Sequence, residues 1–233
     1  MAVFQFKFFS VSQKNATHKV GTDAMVLGAV VTLENASQVL DIGTGTGVLS
    51  LMLAQKSPSI QVDAIEIDQP SFLEAEQNVR ESNYKTQIQV LQGDFLEFPF
   101  EKKYDLLVSN PPYFLTQNGN LDPRKSTARH ALSLTPERLF AKAAEITCAW
   151  SRFYVIYPIE SQAEFELAAL EQGWYPNKRY LLKGKMDKTK RVITCFSKVN
   201  VPVQEVLITI RDEQGKYTDE YKELTKEYHS KTL

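Results

Sequence analysis

The segment VLDIGTGTGVLSL, residues 39–51, constrains the fold of this chain more than any other stretch. An apolar run, QVLDI (38–42), meets three glycines at alternate positions, Gly43, Gly45 and Gly47. A second apolar run, GVLSLMLAQK (47–56), follows with helical spacing and stops near Ser57-Pro58. Glycine permits a tight turn and close approach of another molecule to the backbone. The start of the following helix presents N–H groups that lack partners within the helix. A strand that turns through glycines into a helix opens a βαβ unit, and such units build parallel sheets covered on both faces.

The rhythm continues downstream. IQVDAIEI (60–67), IQVLQ (88–92), YDLLVS (104–109) and RFYVIYP (152–158) read as strands. SFLEAEQNVRESN (71–83) reads as a helix with Ser71 as its cap, behind Pro70. TPERLFAKAAEITCAW (135–150) reads as a helix capped by Thr135 with Pro136 at its first position. ESQAEFELAALEQG (160–173) is a helix closed by Gly173. WYPNKRYLLK and RVITCFSKV have no helix between them and predict an antiparallel hairpin at the sheet edge. QEVLITI (204–210) adds one more strand. TDEYKELTKEYH (218–229) is a final helix that turns Tyr221, Leu224 and Tyr228 to one face.

Length and composition fit one soluble domain spanning 1–233, with 1–37 as an extension before the first sheet strand and 200–233 as a closing strand and helix. No run has the length to span a bilayer, and the N-terminus lacks a signal-peptide pattern. Cys148 and Cys195 stand far apart and read as buried free thiols in a reducing compartment. The three histidines form no metal-ligand cluster. A cytoplasmic, metal-free monomer is the expectation. Net charge of −1 gives no global pull toward nucleic acid, so any such contact must come from local basic runs.

The glycine spacing bears on the ligand. The dinucleotide pattern G-x-G-x-x-G or A, started at Gly43, requires a small residue where Val48 stands. The pattern here is acidic-x-G-x-G-x-G, with Asp41 at the strand end and Thr44 inside the turn, the form associated with S-adenosylmethionine (SAM). Asp41 is then placed to face the positive charge of that ligand, directly or through water. Glu66, at the end of the second strand with Ile67 beside it, is placed to accept from two ribose hydroxyls. Asp68 is the second choice for that role. Asp94, after the third strand, is placed to accept from the adenine amino group, with Phe95 as an apolar wall.

The fourth strand ends in Asn110-Pro111-Pro112-Tyr113. These residues include no obvious acid, base or nucleophile. They can instead hold an amino group. The Asn110 side-chain oxygen and the Pro111 carbonyl supply two acceptors, the prolines stiffen the loop and offer no N–H, and Tyr113 supplies a ring for stacking. The tetrapeptide therefore indicates a planar amine and leaves the identity of the ring open.

Taken together, DIGTGTG, IEID, GDF and NPPY resemble the signature set of class I SAM-dependent methyltransferases of the amino-group type. The resemblance implies a Rossmann-like α/β fold, a seven-stranded mostly parallel sheet with an antiparallel last strand and helices on both faces. Relatives of the motif act on adenine N6, cytosine N4, guanine N2 and protein glutamine N5. The flanks FKFFSVSQKNATHKVGTDAMVLGA, ARH (128–130) and YTDEYKELTKEY resemble the bacterial tRNA(Val) adenine-37 N6-methyltransferase family along nearly the whole chain. That likeness implies methyl transfer from SAM to N6 of an adenine in tRNA, adenosine 37 of tRNA(Val). It also carries Lys19, Gly21, Thr22 and Asp23 over as cofactor-side residues. The departures are SQKNATHK and the trailing EYHSKTL.

The alternatives are a guanine N2 or protein glutamine methyltransferase, and a non-catalytic SAM-binding protein that contacts RNA. The short stretch before the glycine turn argues against the glutamine enzymes, which usually carry a long helical domain there. The lack of an internal repeat argues against the guanine enzymes, which are often duplicated. Two basic runs are the candidate RNA contacts. One lies in the long connection 114–134, with Asn118, Arg124, Lys125, Arg129 and His130. The other lies at 183–191, with Lys183, Lys185, Lys188, Lys190 and Arg191.

Overall fold

A computed structural model describes residues 3–14, 20–111, 134–184 and 188–230. Its centre is an eight-stranded sheet whose strands bury alternate residues on opposite faces. On β3 (Gln38–Ile42), Val39 belongs to one core layer while Leu40 and Ile42 belong to the other. On β7 (Thr147–Pro158), Tyr154 and Ile156 face the first layer, and Phe153, Val155 and Tyr157 face the second. This period of two, apolar on both sides, is what a sheet covered twice requires.

Three further strands run parallel with β3: β4 (Gln61–Glu66), β5 (Ile88–Gln92) and β6 (Tyr104–Ser109). Beyond β7 come β8 (Tyr175–Lys183), β9 (Thr189–Ser197) and β10 (Gln204–Thr209). The order across the sheet is β10-β8-β9-β7-β6-β3-β4-β5. The expected reversed strand is β9, antiparallel to both β7 and β8. The β8–β9 hairpin is not at the edge, however. β9 inserts between β7 and β8, and β10 adds an eighth strand outside β8, parallel to it. Hairpin connectivity gives the pairing of two strands without saying which of them meets the rest of the sheet.

The first layer holds α1 (Thr22–Val30), α2 (Val48–Lys56), α3 (Gln69–Glu81) and the small β1–β2 hairpin (Val3–Gln5, Ser10–Ser12). The backbones of α1 and α2 come so close that a Cβ on Gly28 would fall 2.5 Å from Met52 Cε. Lys56 closes α1 from below, donating to the carbonyls of Ala29 and Val31. The second layer holds α4 (Pro136–Glu145), α5 (Gln162–Glu171) and the buried Trp174. A C-terminal helix, α6 (Asp219–Thr225), is capped by Thr218 and packs Tyr221 into the first layer, and Tyr228 in the turn after it does the same.

Several boundaries differ from the sequence expectation. α3 begins at Gln69, because Asp68 rather than Ser71 is the cap: Asp68 Oδ2 accepts the Ser71 N–H at 3.0 Å and the Ser71 hydroxyl at 2.7 Å. α4 stops at Glu145, and the TCAW stretch starts β7, where Thr147 pairs with Tyr104 and the Ser151 hydroxyl donates to the Tyr104 carbonyl at 2.7 Å. α5 starts at Gln162 after a 3-10 turn (Ile159–Ser161), and α6 stops at Thr225. Cys148 and Cys195 are free thiols, the first half-buried and the second buried. Among the described residues no helix is long and apolar enough to cross a membrane.

Candidate active site

Four strand tips share one end of the sheet in register. Ile42 pairs with Ser109 on β6 and with Ile65 on β4, and Glu66 pairs with Gln92 on β5. The next residues along these strands, Asn110, Gly43, Ile67 and Gly93, therefore line one rim. From β3 the chain proceeds to β4 and β5 on one side and returns to β6 on the other. The crevice beside β3 is thus the topological switch point, where open α/β sheets bind ligands. Asn110 is half-buried and Pro111 buried, and the Ser109 hydroxyl fixes this strand end by donating to the Ile42 carbonyl at 3.0 Å.

The glycine turn is held from beneath by Asp41. Its Oδ2 accepts the Thr44 hydroxyl at 2.6 Å, the Ser50 hydroxyl at 2.7 Å and the Ser50 N–H at 3.1 Å. Gly43, Gly45 and Gly47 all take positive φ, 70°, 58° and 79°. Space is open where a Cβ on Gly43 or Gly45 would sit, whereas one on Gly47 would lie 3.4 Å from Ala75 Cβ. Asp41 is fully buried, and its Oδ1 has no hydrogen-bond partner among the described residues. Burial pushes its carboxyl up to about 6, against the lowering pull of the Thr44 and Ser50 bonds, and nearby Glu66 pushes the same way. Oδ2 of Asp41 therefore builds the turn, a role additional to the sequence expectation that Asp41 faces a ligand.

Glu66 bridges two of the tips. Oε2 accepts the Gly45 N–H at 2.8 Å and Oε1 the Asp68 N–H at 2.9 Å. It is buried, and burial raises its pKa. Ile67 beside it is 38% exposed. Asp68, the second choice for a ribose, is committed as the cap of α3. Asp94 Oδ1 accepts the Leu96 N–H at 2.9 Å and so shapes the turn after β5. Phe95 departs from expectation. It is only 5% exposed, with its ring 5.9 Å from that of Phe100 in the second core layer, so it is not an open wall. Ile67 is an exposed apolar side chain on this rim.

Gly21 is the exposed N-cap of α1, and Thr22 and Asp23 form its first turn. Asp23 Oδ2 accepts from Arg191 Nε at 3.1 Å, which ties the start of α1 to the base of the β8–β9 hairpin. Because β8 runs parallel to β7, and so to β3, the hairpin tip projects from the same end of the sheet as Asn110. Lys183 is half-buried there and Lys188 and Lys190 are exposed. Lys19, Pro112, Tyr113, Asn118, Arg124, Lys125, Arg129, His130 and Lys185 lie outside the described residues.

Sequence reasoning passed over two residues of α3. Glu74 and Asn78 are 4% and 2% exposed, and both reach the N-terminal segment. Their signal was present: two polar side chains four apart, adjoining Ala75 and Val79, which are also buried.

The methyltransferase small domain model matches residues 13–140, more than half of the chain. The tRNA1(Val) (adenine(37)-N6)-methyltransferase of Bacteroides thetaiotaomicron is 38% identical over 97% of this chain and 96% of its own length. The protein of the same name from Trichodesmium erythraeum is 36% identical over 98% of each chain. In fold, the chain resembles a predicted O-methyltransferase from Agrobacterium tumefaciens with a TM-score of 0.69, at 18% identity, over 88% of this chain and 96% of the other. A glycine turn at the switch point, a neighbouring strand followed by Asn110 and Pro111, and full-length likeness to named relatives converge on one assignment: the chain belongs to the tRNA1(Val) (adenine(37)-N6)-methyltransferase family.

Proposed function

We propose that this protein methylates N6 of an adenine in tRNA, adenosine 37 of tRNA(Val), with SAM as the donor. The observation that carries the reading is the pairing of Ser109 with Ile42, which sets Asn110 next to the glycine turn. A group held at Asn110 and one held at the turn are then neighbours. The names of the full-length relatives support the substrate.

The residues present fit SAM. The buried Oδ1 of Asp41, which has no partner among the described residues, suits a cationic group, and the open space at Gly43 and Gly45 suits a ligand lying on the backbone. Glu66 lies one strand over, and a carboxylate has about four lone-pair sites, so it retains capacity for a ribose hydroxyl beyond its backbone bonds. Exposed Ile67 offers an apolar surface to a purine, and Asp94 stands at the next tip. Gly21, Thr22 and Asp23 at the head of α1 are assigned to the cofactor side on the family resemblance.

When bound, SAM supplies an activated methyl group, so no residue need act as a nucleophile. This chain's task is alignment. The Asn110 side-chain oxygen and the Pro111 carbonyl each accept one N–H of the adenine amino group, and Tyr113 stacks on the ring. Two acceptors orient the nitrogen and favour the pyramidal form in which its lone pair is available. Alignment of this kind can supply roughly 7–11 kcal/mol of a barrier. The product proton leaves to water. The adenine of an anticodon loop is single-stranded, so little base pairing is lost in bringing it to the site.

The RNA-facing surface is assigned to the 114–134 connection, through Arg124, Lys125, Arg129 and His130, and to the hairpin tip, through Lys185 and Lys188. The hairpin's position on the same sheet end as Asn110 supports the second assignment. The test is incubation of the protein with SAM and unmodified bacterial tRNA, then nucleoside mass spectrometry. N6-methyladenosine that disappears with Asn110→Ala is the expected result. Methylguanosine, labelled protein or no label at all overturns the proposal.

A further inference from the structure

Asn78 lies in the interior of α3, yet every polar atom of its side chain is engaged. Nδ2 donates to the Thr46 carbonyl at 2.8 Å, inside the glycine turn, and to the Ser12 carbonyl at 3.0 Å. Oδ1 accepts the Ser12 N–H at 2.8 Å. One helical turn earlier, Glu74 Oε1 accepts the Ser12 hydroxyl at 2.9 Å and the Lys14 N–H at 2.7 Å. Gln13 Oε1 accepts the Val20 N–H at 2.9 Å, which joins this stretch to the residue before Gly21. One face of α3 therefore grips two separate pieces of chain, the glycine turn and the segment that leads into Gly21–Asp23.

Packing alone does not account for this choice of residues. A helix face that only fills space is served by apolar side chains, as Ala75 and Val79 serve α3. Burying an amide and a carboxylate is unfavourable unless their bonds are made, and here they are made to main-chain groups and the Ser12 hydroxyl, which an apolar substitute would leave unpaired. The bonded groups are those whose relative position sets the shape of the crevice.

We infer that Asn78 and Glu74 are positioning residues for the methyl donor, which hold the N-terminal segment and the glycine turn as a single wall. The inference rests on the reading of that turn as the SAM site. It assigns a role in SAM affinity to side chains that need not touch SAM.

The test is calorimetric titration of SAM into the RNA-free protein, with kinetics on tRNA beside it. Asn78→Asp keeps the acceptor for Ser12 N–H but turns an oxygen toward two carbonyls. Its SAM Kd and KM are expected to rise about tenfold or more, the scale of a lost buried hydrogen bond, while kcat and tRNA affinity stay within about threefold. Glu74→Gln keeps the acceptor and is expected to bind SAM like the parent, whereas Glu74→Ala weakens it with the Asn78–Thr46 bond untouched. Should Asn78→Asp fail to fold, the Glu74 pair decides the matter alone.

The inference is overturned if Asn78→Asp binds SAM like the parent, or if Glu74→Gln and Glu74→Ala behave alike. Parallel loss of SAM affinity, tRNA affinity and cooperative unfolding also overturns it, because that is the signature of a purely structural role. A parent protein that binds no SAM overturns the donor reading and this inference together. A parent that binds SAM, with unchanged variants, overturns this inference alone.

Discussion

Ser50 donates to Asp41 twice, from its hydroxyl at 2.7 Å and its N–H at 3.1 Å, and both bonds end on Oδ2. The other oxygen, Oδ1, is buried without a partner among the described residues. One carboxylate oxygen thus folds the turn, and under the proposed function the other faces the cationic donor. Asp41→Asn separates the two. An amide oxygen can still accept from Thr44 and Ser50, and the buried charge is gone. Because burial holds the acid's pKa up, the ionised form is a burden on the ligand-free fold. Asp41→Asn is expected to unfold at the same temperature as the parent or higher at pH 7.5, yet to bind SAM at least about tenfold more weakly, for want of a charged acceptor. Asp41→Ala instead orphans three donors and should lose about 1–3 kcal/mol or more. Thermal unfolding and calorimetry on both variants check the contrast.

The pH dependence follows with a definite sign. The Asp41 carboxyl is raised from 3.8 to about 6, so between those values the folded chain holds a proton that the unfolded chain has released. Stability of the ligand-free protein on this account falls as pH rises from about 4 to about 6 and is level above. A bound cation favours the carboxylate, so binding expels that proton below pH 6. SAM Kd should be flat from pH 8 down to about 6 and then weaken by up to about tenfold per unit. Glu66 titrates in the same sense, since burial raises it too. Asp41→Asn removes the Asp41 share of the slope, and calorimetry at successive pH values shows whether it does.

Much of this site was legible in the sequence because backbone chemistry wrote it there. The strands QVLDI, IQVLQ and YDLLVS form with the expected ends, and the positive φ of Gly43, Gly45 and Gly47 is what alternate glycines announce. What sequence could not convey was which partner each polar group would meet. Asp68 and Ser71 both suit a helix cap, and only geometry makes Asp68 the acceptor. Phe95 follows Asp94, but its ring turns to the core, where Phe100 lies 5.9 Å away. Asn78 looked like one more helix residue because its partners, Ser12 and Thr46, are distant in sequence. The insertion of β9 between β7 and β8 was equally hidden, since the alternation of side chains is the same whichever hairpin strand lies inside.

Asn110→Ala tests the proposed amino-group holder separately from the proposed donor site. Pro111 is buried and Ser109 is bonded to the Ile42 carbonyl, so the strand end has supports that the Asn110 side chain does not provide. Loss of one oriented acceptor in a preorganised site costs about 10²–10³ in kcat. SAM affinity measured without RNA should move by much less. Single-turnover kinetics with saturating SAM isolates the chemical step, and an unchanged rate would remove Asn110 from it.

The hairpin charges should divide by their partners. Arg191 faces Asp23 at 3.1 Å, each about one-third exposed, while Lys188 at the tip is exposed. A cation already balanced by a carboxylate releases few counterions from a phosphate. A cation in solvent that neutralises one phosphate steepens the salt dependence of binding by about 0.7–0.9 in log–log slope. Lys188→Ala is therefore expected to flatten the plot of tRNA affinity against salt by about that amount, with SAM affinity unchanged. Arg191→Ala should leave the slope alone and, as a partly exposed ion pair, shift stability by no more than about 1 kcal/mol. Filter binding across a salt series reads both. A slope that falls with Arg191→Ala and holds with Lys188→Ala would reverse the roles of tip and base.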